Sequence, residues 1–291
     1  MQLTPDEPLA ESAPLAWRAA AEHCWRDPRT GERCDWFHGT WQILRLLGLN
    51  TTPEHHQRFF EDALSPLAKP GRRPAVLISG TADYSLLARL LFFFRNSGAE
   101  PLWTVADRCE TPLILNRWYA GRAGCEISTR CCDILELEGE AAYDVICTHS
   151  LIGQLLPGHR DRLAKTWHRL LRPGGRLVTV NRLRPAAGAE WVGFSEAQGR
   201  TLAQAVKDRL PSILPLLDAA PSAVESLVAR YASRMGAWPV HSQEELRALF
   251  ETAGLAIEHL SAEAVDSRGT GVSGPTALHG AVYALLAARR P

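Results

Sequence analysis

The stretch "PAVLISGTADYSLLARLL", residues 74–91, reads as a buried strand, a turn and a helix. A short apolar run enters a turn at Gly80, and leucines then recur at helical spacing. The turn holds one glycine where a dinucleotide loop holds three. Downstream the same rhythm repeats. "PLWTVAD", "CEISTRCCD", "YDVICTHS" and "GRLVTVN" are strand-like, and the helical runs "ETPLILNRWYAGR" and "RDRLAKTWHRLL" lie among them. Strands alternating with helices predict right-handed crossover units and a parallel sheet apolar on both faces.

Around this core the pattern changes. Three helices precede residue 70: "PLAWRAAAEHCW", "WFHGTWQILRLLGL" behind Asp35 as N-cap, and "EHHQRFFEDAL" entered through Thr52 and Pro53. "AKPGRRP" reads as a linker. Residues 184–240 interrupt the rhythm with proline-separated helices, which predicts an insertion. The core resumes at Ser242, with Glu245 completing a capping box, and "LAIEHLSAEAV" and "ALHGAVYALLAAR" add two strands. The expected division is a helical lid over 1–70, a core over 71–183, an inserted substrate cap over 184–240 and the rest of the core over 241–291.

Composition narrows the function classes. Lys and Arg balance Asp and Glu at 32 each, and 46% of residues are hydrophobic, which argues against a disordered tail and an electrostatic nucleic-acid binder. No apolar run reaches the roughly 20 residues of a membrane span, and the first residues do not read as a signal peptide, so a cytoplasmic protein is expected. The seven cysteines, Cys24, Cys34, Cys109, Cys125, Cys131, Cys132 and Cys147, are odd in number and without C-x-x-C spacing. That speaks for reduced thiols and against a disulfide framework or a metal site.

Ligands of open parallel sheets bind beyond the carboxyl ends of the strands. The candidates are Gly80 to Ser85, Asp107 and Arg108, Asp133 and Ile134, Thr148 to Ser150, and Asn181 and Arg182.

In this order the motifs "VLISGTADYS", "WTVADR", "CCDILE", "YDVICTHSLIG" and "LLRPGGRLVTVN" resemble those of the class I S-adenosylmethionine-dependent methyltransferases, over roughly residues 70–185 and 241–290. The resemblance implies an α/β fold: a Rossmann-like, seven-stranded, mostly parallel sheet with helices on both faces, an N-terminal helical lid and a helical insertion after strand 5. It implies S-adenosylmethionine as cofactor and a small-molecule substrate, with no nucleic acid, membrane or metal; the oligomeric state stays open.

By that resemblance Asp107 takes the ribose hydroxyls, and Asp133 and Ile134 take the adenine. Gly80, Thr81, Ala82, Asp83, Tyr84, Arg108, Thr148, His149 and Ser150 complete the cofactor set. His38, Trp41 and Arg45 fall on one side of the second helix, where N-terminal helices of the family close over the cofactor. The loop departs from the family: Ile78 stands for its acid, and Ala82 and Tyr84 for two glycines. A sulfonium cofactor without phosphates tolerates this better than a dinucleotide. Asp83 then holds the cofactor ammonium or caps the helix near Ser85, and Tyr84 covers the sulfonium or an adenosine face.

His149, Tyr84 and Asn181 are the catalytic candidates, His149 as base or contact. Asn181 and Arg182, with the inserted helices over 184–240, are expected to build the acceptor pocket. "EHH" at 54–56 is not expected to bind metal, because adjacent histidines on a helix diverge. Three readings remain open: methyl transfer to an O, N or carboxylate nucleophile, cyclisation of the cofactor as in the azetidine-forming S-adenosylmethionine cyclases, and non-catalytic binding.

Overall fold

The computed structural model describes residues 5–184, 188, 190–265 and 281–291. The first four residues of "ALHGAVYALLAAR" and part of the segment entering the insertion lie outside these.

The alternating core folds as expected. Strands β1 (Ala75–Ser79), β2 (Leu102–Asp107), β3 (Ile127–Cys131), β4 (Tyr143–His149) and β5 (Leu171–Leu183) are joined by α4 (Ser85–Asn96), α5 (Glu110–Arg122) and α6 (Arg160–Leu170). With β8 (Ala256–Val265) and β9 (Ala281–Arg289) they form one sheet in the order β3-β2-β1-β4-β5-β9-β8. The first five strands are parallel, and β9 runs antiparallel to both neighbours. Strand order reverses between β1 and β4, which places the crevice above Gly80 and His149.

Successive residues of each strand face opposite layers, so the sheet has two cores. Val76 and Ile78 point to Phe94, Tyr84 and Leu113, whereas Leu77 points to Trp167, Leu170 and Phe250. Trp167 is fully buried and satisfies its indole N–H on Ser79 Oγ at 3.0 Å, so the second layer is pinned to the end of β1. The Pro173-Gly174-Gly175 turn falls inside the irregular start of β5, where the pairing register with β4 shifts.

A third core joins segments far apart in the chain. Helix α1 (Leu9–His23) and α2 (Asp35–Leu46) pack with α7 (Glu196–Ile213) and α8 (Pro221–Arg234) around Ile43, Leu44, Leu202, Val206, Val228 and Tyr231. The N-terminal helices and the insertion therefore share one apolar interior. Two short strands, β6 (Val192–Gly193) and β7 (Gly236–Ala237), close the base of the insertion.

The start of α2 differs from expectation. Cys34 is its N-cap, without a side-chain capping bond, and Asp35 is the first helical residue. The carboxylate of Asp35 instead receives both Arg230 nitrogens of α8 at 2.8 and 3.0 Å, a fork that fastens the N-terminal helices to the insertion. Pro53 does begin a helical turn: Pro53–His56 is 3-10, boxed by Thr52 and His55, and continues as α3 (Gln57–Leu64). At Ser242 the hydroxyl accepts from the Glu245 amide at 3.2 Å and starts α9 (Gln243–Thr252). Among the described residues no helix is long and apolar enough to cross a membrane.

Candidate functional site

The loop after β1 is built around its single glycine. Gly80 adopts φ 70°, and a Cβ there would stand 2.8 Å from Leu151 Cδ1, so both conformation and space demand glycine. Leu151 reaches Gly80 because Ser150, also left-handed at φ 60°, turns the chain back after β4. Its amide is held on Val180 O at 2.7 Å. A non-glycine residue in this region costs about 1 kcal/mol, strain of the kind that concentrates at ligand sites.

Asp107, the last residue of β2, gathers the neighbouring turns. Its Oδ2 accepts from the Thr81 amide at 2.9 Å and its Oδ1 from the Cys109 amide at 2.8 Å. Burial raises its carboxyl above the usual value, against the opposing pull of His38 and the two amides. Across the crevice Thr148 Oγ1 is buried and has no protein partner. Ala82 is half-buried on the same loop. Gly80, Thr81, Ala82, Asp107, Thr148, His149 and Ser150 thus converge at the strand-order reversal.

Asp133 is exposed beyond β3 and caps a short 3-10 turn by accepting from the Leu135 amide at 2.9 Å, while Ile134 turns inward. Arg108 is exposed and lies over the Trp25 ring at 4.3 Å.

Several expected ligand contacts are instead made within the chain. Asp83 is buried; its Oδ2 pairs with Arg45 at 2.7 Å and accepts from Trp41 Nε1 at 3.1 Å, and its Oδ1 caps the Ser85 amide at 2.8 Å. That last bond turns the chain into α4, whose N-cap is Tyr84. Arg45 meets two carboxylates, those of Asp83 and Glu7. Burial works against the guanidinium charge, and the two carboxylates outweigh it, so its pKa is held above the usual value. Arg89 joins the same network through Glu7 and Glu54.

Tyr84 is corrected outright. It is fully buried, its ring stacks on Tyr119 with centroids 4.9 Å apart, and its hydroxyl meets Ser12 Oγ at 3.0 Å. The apolar layer beneath α4 and α5 takes the ring, which therefore cannot line the crevice. The side chain of Asn181, inside β5, is likewise engaged within the chain: Oδ1 accepts from the Ile152 amide at 3.2 Å, and Nδ2 donates to Thr179 at 2.9 Å. Arg182 also lies within the strand rather than after it, and burial lowers its pKa against the pull of Tyr283.

His149 has a partner that helical divergence did not suggest. His56 Nδ1 lies 3.1 Å from His149 Nε2, and the His56 ring rests 4.8 Å from Tyr283. Burial lowers the His56 pKa to about 4, with His55 adding to the effect, and burial followed by the two nearby histidines holds His149 well below the ordinary value. The pair is neutral at physiological pH, with one ring donating and the other accepting. Of the "EHH" run, His55 turns back to cap Thr52 and only His56 faces the crevice side.

His38 is buried, yet it belongs to a different cluster from Arg45. All seven cysteines are free, and Cys24, Cys34 and Cys109 come together beside His38 although 75 residues separate Cys34 from Cys109. The spacing that argued against a metal centre reports only neighbours along the chain.

No known family matches the sequence, and no curated protein matches it. Solved structures do match the fold. Geranyl diphosphate C-methyltransferase from Streptomyces coelicolor, solved with Mg2+, geranyl diphosphate and S-adenosyl-L-homocysteine, aligns at TM-score 0.55 and 14% identity over 99% of this chain and 100% of that one. The 1,6-didemethyltoxoflavin-N1-methyltransferase of Burkholderia thailandensis, solved with its substrate and S-adenosylhomocysteine, gives 0.52 and 16% over 100% and 93%. The [4+2]-cyclase SpnF gives 0.51 and 15% over 97% and 93%. Together with the strand order, these likenesses establish that the chain has the fold of the class I S-adenosylmethionine-dependent methyltransferases.

Proposed function

We propose that the protein is an S-adenosylmethionine-dependent transferase that moves a methyl group to an O, N or carboxylate nucleophile on a small molecule. The observation that carries this reading is the coupling of Asp107 to the Gly80 loop through the Thr81 amide at the point where strand order reverses.

The residues present suit the cofactor. Asp107 can accept from ribose hydroxyls, Asp133 retains a carboxylate oxygen for the adenine amine beside Ile134, and Thr148 offers an unpartnered buried hydroxyl. Gly80, Thr81, Ala82 and Ser150 form the wall of the loop. When bound, S-adenosylmethionine supplies an electrophilic methyl group on a sulfonium. The chain's part is then to align the nucleophile and exclude water. His149, kept neutral by burial and by His56, suits a hydrogen bond from the nucleophile. When Nε2 donates to His56, Nδ1 is the ring atom left to accept a proton. Helices α1 and α2 serve as the lid and the 184–240 insertion as the substrate cap, working as one body through their shared core.

The test is incubation of the pure protein with S-adenosylmethionine, alone and with a panel of small nucleophiles, followed by mass spectrometry. S-adenosylhomocysteine formed only with an acceptor supports the reading. Methylthioadenosine and a cyclic amino acid formed without one would replace transfer by cyclisation. Absence of binding in calorimetry would remove the cofactor altogether. Asp107→Asn should weaken cofactor binding by about tenfold or more, the scale of a lost charge-assisted hydrogen bond.

A further inference from the structure

Where the N-terminal helices rest on the core, three sulfurs meet. Cys24 ends α1, Cys34 is the N-cap of α2 and Cys109 the N-cap of α5. Between the first two the chain doubles back: the Cys34 amide donates to Trp25 O at 3.0 Å, and Arg26 bridges Arg33 in antiparallel fashion. The sulfurs of Cys34 and Cys109 lie 3.5 Å apart, those of Cys24 and Cys109 3.8 Å, and all three lie within 4.8 Å of one another. A tetrahedral zinc ion bound to thiolates at about 2.3 Å sets its sulfurs about 3.8 Å apart. Two of the three spacings are already those of a ligand set.

His38 stands beside two of these sulfurs, those of Cys109 and Cys34. His38 follows Cys34 by one helical turn and so shares its face of α2. Its ring interacts with the Cys109 and Cys34 sulfurs. Nδ1 is buried with no hydrogen-bond partner, and the residue is only 8% exposed. Simple packing gives no reason to bury an unpartnered imidazole nitrogen, whereas coordination does. The surroundings agree: the Trp25 amide points to Cys109 Sγ at 3.5 Å, the outer-shell bond that steadies a metal thiolate, and Ala20 and Trp25 pack against the cluster.

We propose that Cys24, Cys34, Cys109 and His38 form a binding site for one thiolate-preferring divalent ion of the zinc type. With His38 drawn in to join the three thiolates, four protein ligands would close the coordination sphere, so the ion is structural rather than catalytic. Binding displaces to solvent the protons that the ligands carry, and the exposed Arg108 over Trp25 lies nearby to balance the resulting negative charge. The ion would tie α1 and α2 to the start of α5. Because the Cys109 amide also holds Asp107, it would fix the strand end on which the loop depends. The site stands independently of the methyl-transfer reading.

The experiment is metal analysis of the full-length protein purified under reducing conditions, followed by titration of the metal-free protein with Co2+ alone. The expected result is one zinc per chain as isolated, and on titration one equivalent of cobalt with tetrahedral ligand-field bands and a thiolate-to-cobalt charge-transfer band. Cys125→Ser, which removes a thiol outside the cluster, should leave the stoichiometry and spectrum unchanged, and Cys34→Ser should abolish the one-to-one complex. His38→Gln keeps all three thiols and should shift the ligand-field bands while retaining the charge-transfer band. Absence of zinc and of any cobalt spectrum in the unaltered, reduced protein would overturn the proposal without recourse to variants. Unchanged cobalt binding in Cys34→Ser, or a Cys34–Cys109 disulfide as the isolated state, would do so equally.

Discussion

The buried histidine pair makes the stability of this protein depend on pH in a window that can be calculated. His56 is 2% exposed and is held near a pKa of about 4, whereas in the unfolded chain it titrates at about 6.5. The folded pKa is depressed, so the unfolded state binds the proton first as pH falls. Stability is full above about pH 6.5 and is lost progressively down to about pH 4. Each pH unit between these limits removes about 1.4 kcal/mol, so the loss is about 2 kcal/mol at pH 5 and roughly 3 kcal/mol once both states are protonated. His56→Asn keeps a hydrogen-bonding group near the Nδ1 position and cannot titrate. Urea unfolding at pH 7.5 and pH 5 on both proteins isolates the effect, because carboxylate contributions common to both cancel in the difference. The wild type should lose about 2 kcal/mol more than the variant over that interval. Equal losses would show that His56 protonates freely in the folded state and that its burial against Tyr283 and His149 is wrongly assigned.

Gly80→Ala should lower stability by about 1–2 kcal/mol from its left-handed backbone, with a further penalty from Leu151. Thermal unfolding of Gly80→Ala/Leu151→Ala should recover the steric part only, and full recovery would refute the backbone argument. Arg45→Met leaves Asp83 and part of Glu7 buried without their cation and should cost about 3–5 kcal/mol. Adding Asp83→Asn should return a large share of that loss in denaturant unfolding, and strict additivity would contradict the network. Asp35→Ala removes the half-exposed fork to Arg230 and should cost about 1 kcal/mol. The loss should shrink in high salt, and a salt-independent loss would point to packing instead.

The sheet was legible because its signal is local. A five-residue apolar run such as "AVLIS" must be a strand when a helix of twelve residues follows it, and crossover handedness leaves little freedom in the order. Asp107 was legible for the same reason, since a polar residue ending an apolar strand projects from the edge where the strands stop. Tyr84 was not: it directly precedes α4, and whether its ring turned to the crevice or the core depended on Tyr119 and Ser12, which sequence proximity does not reveal. Glu7, Arg89 and His56 were missed because buried ion pairs and ring pairs leave no periodic trace. The gathering of Cys24, Cys34, Cys109 and His38 was equally hidden, for local spacing describes a metal knuckle only when its ligands lie on one short loop. The common core of α1, α2, α7 and α8 could not be read because each helix shows its apolar face without naming the face it meets.

That common core also orders events in time. Asp35 waits for Arg230 across 195 residues of chain, and Ile43 and Leu44 wait equally for the insertion helices. At a synthesis rate of about 5–20 residues per second the wait is roughly 10–40 s. Throughout it the earliest-made helices expose apolar faces that nothing yet made can cover. A nascent chain built this way invites transient shelter by a chaperone, and the portion made first is among the last to reach its final contacts.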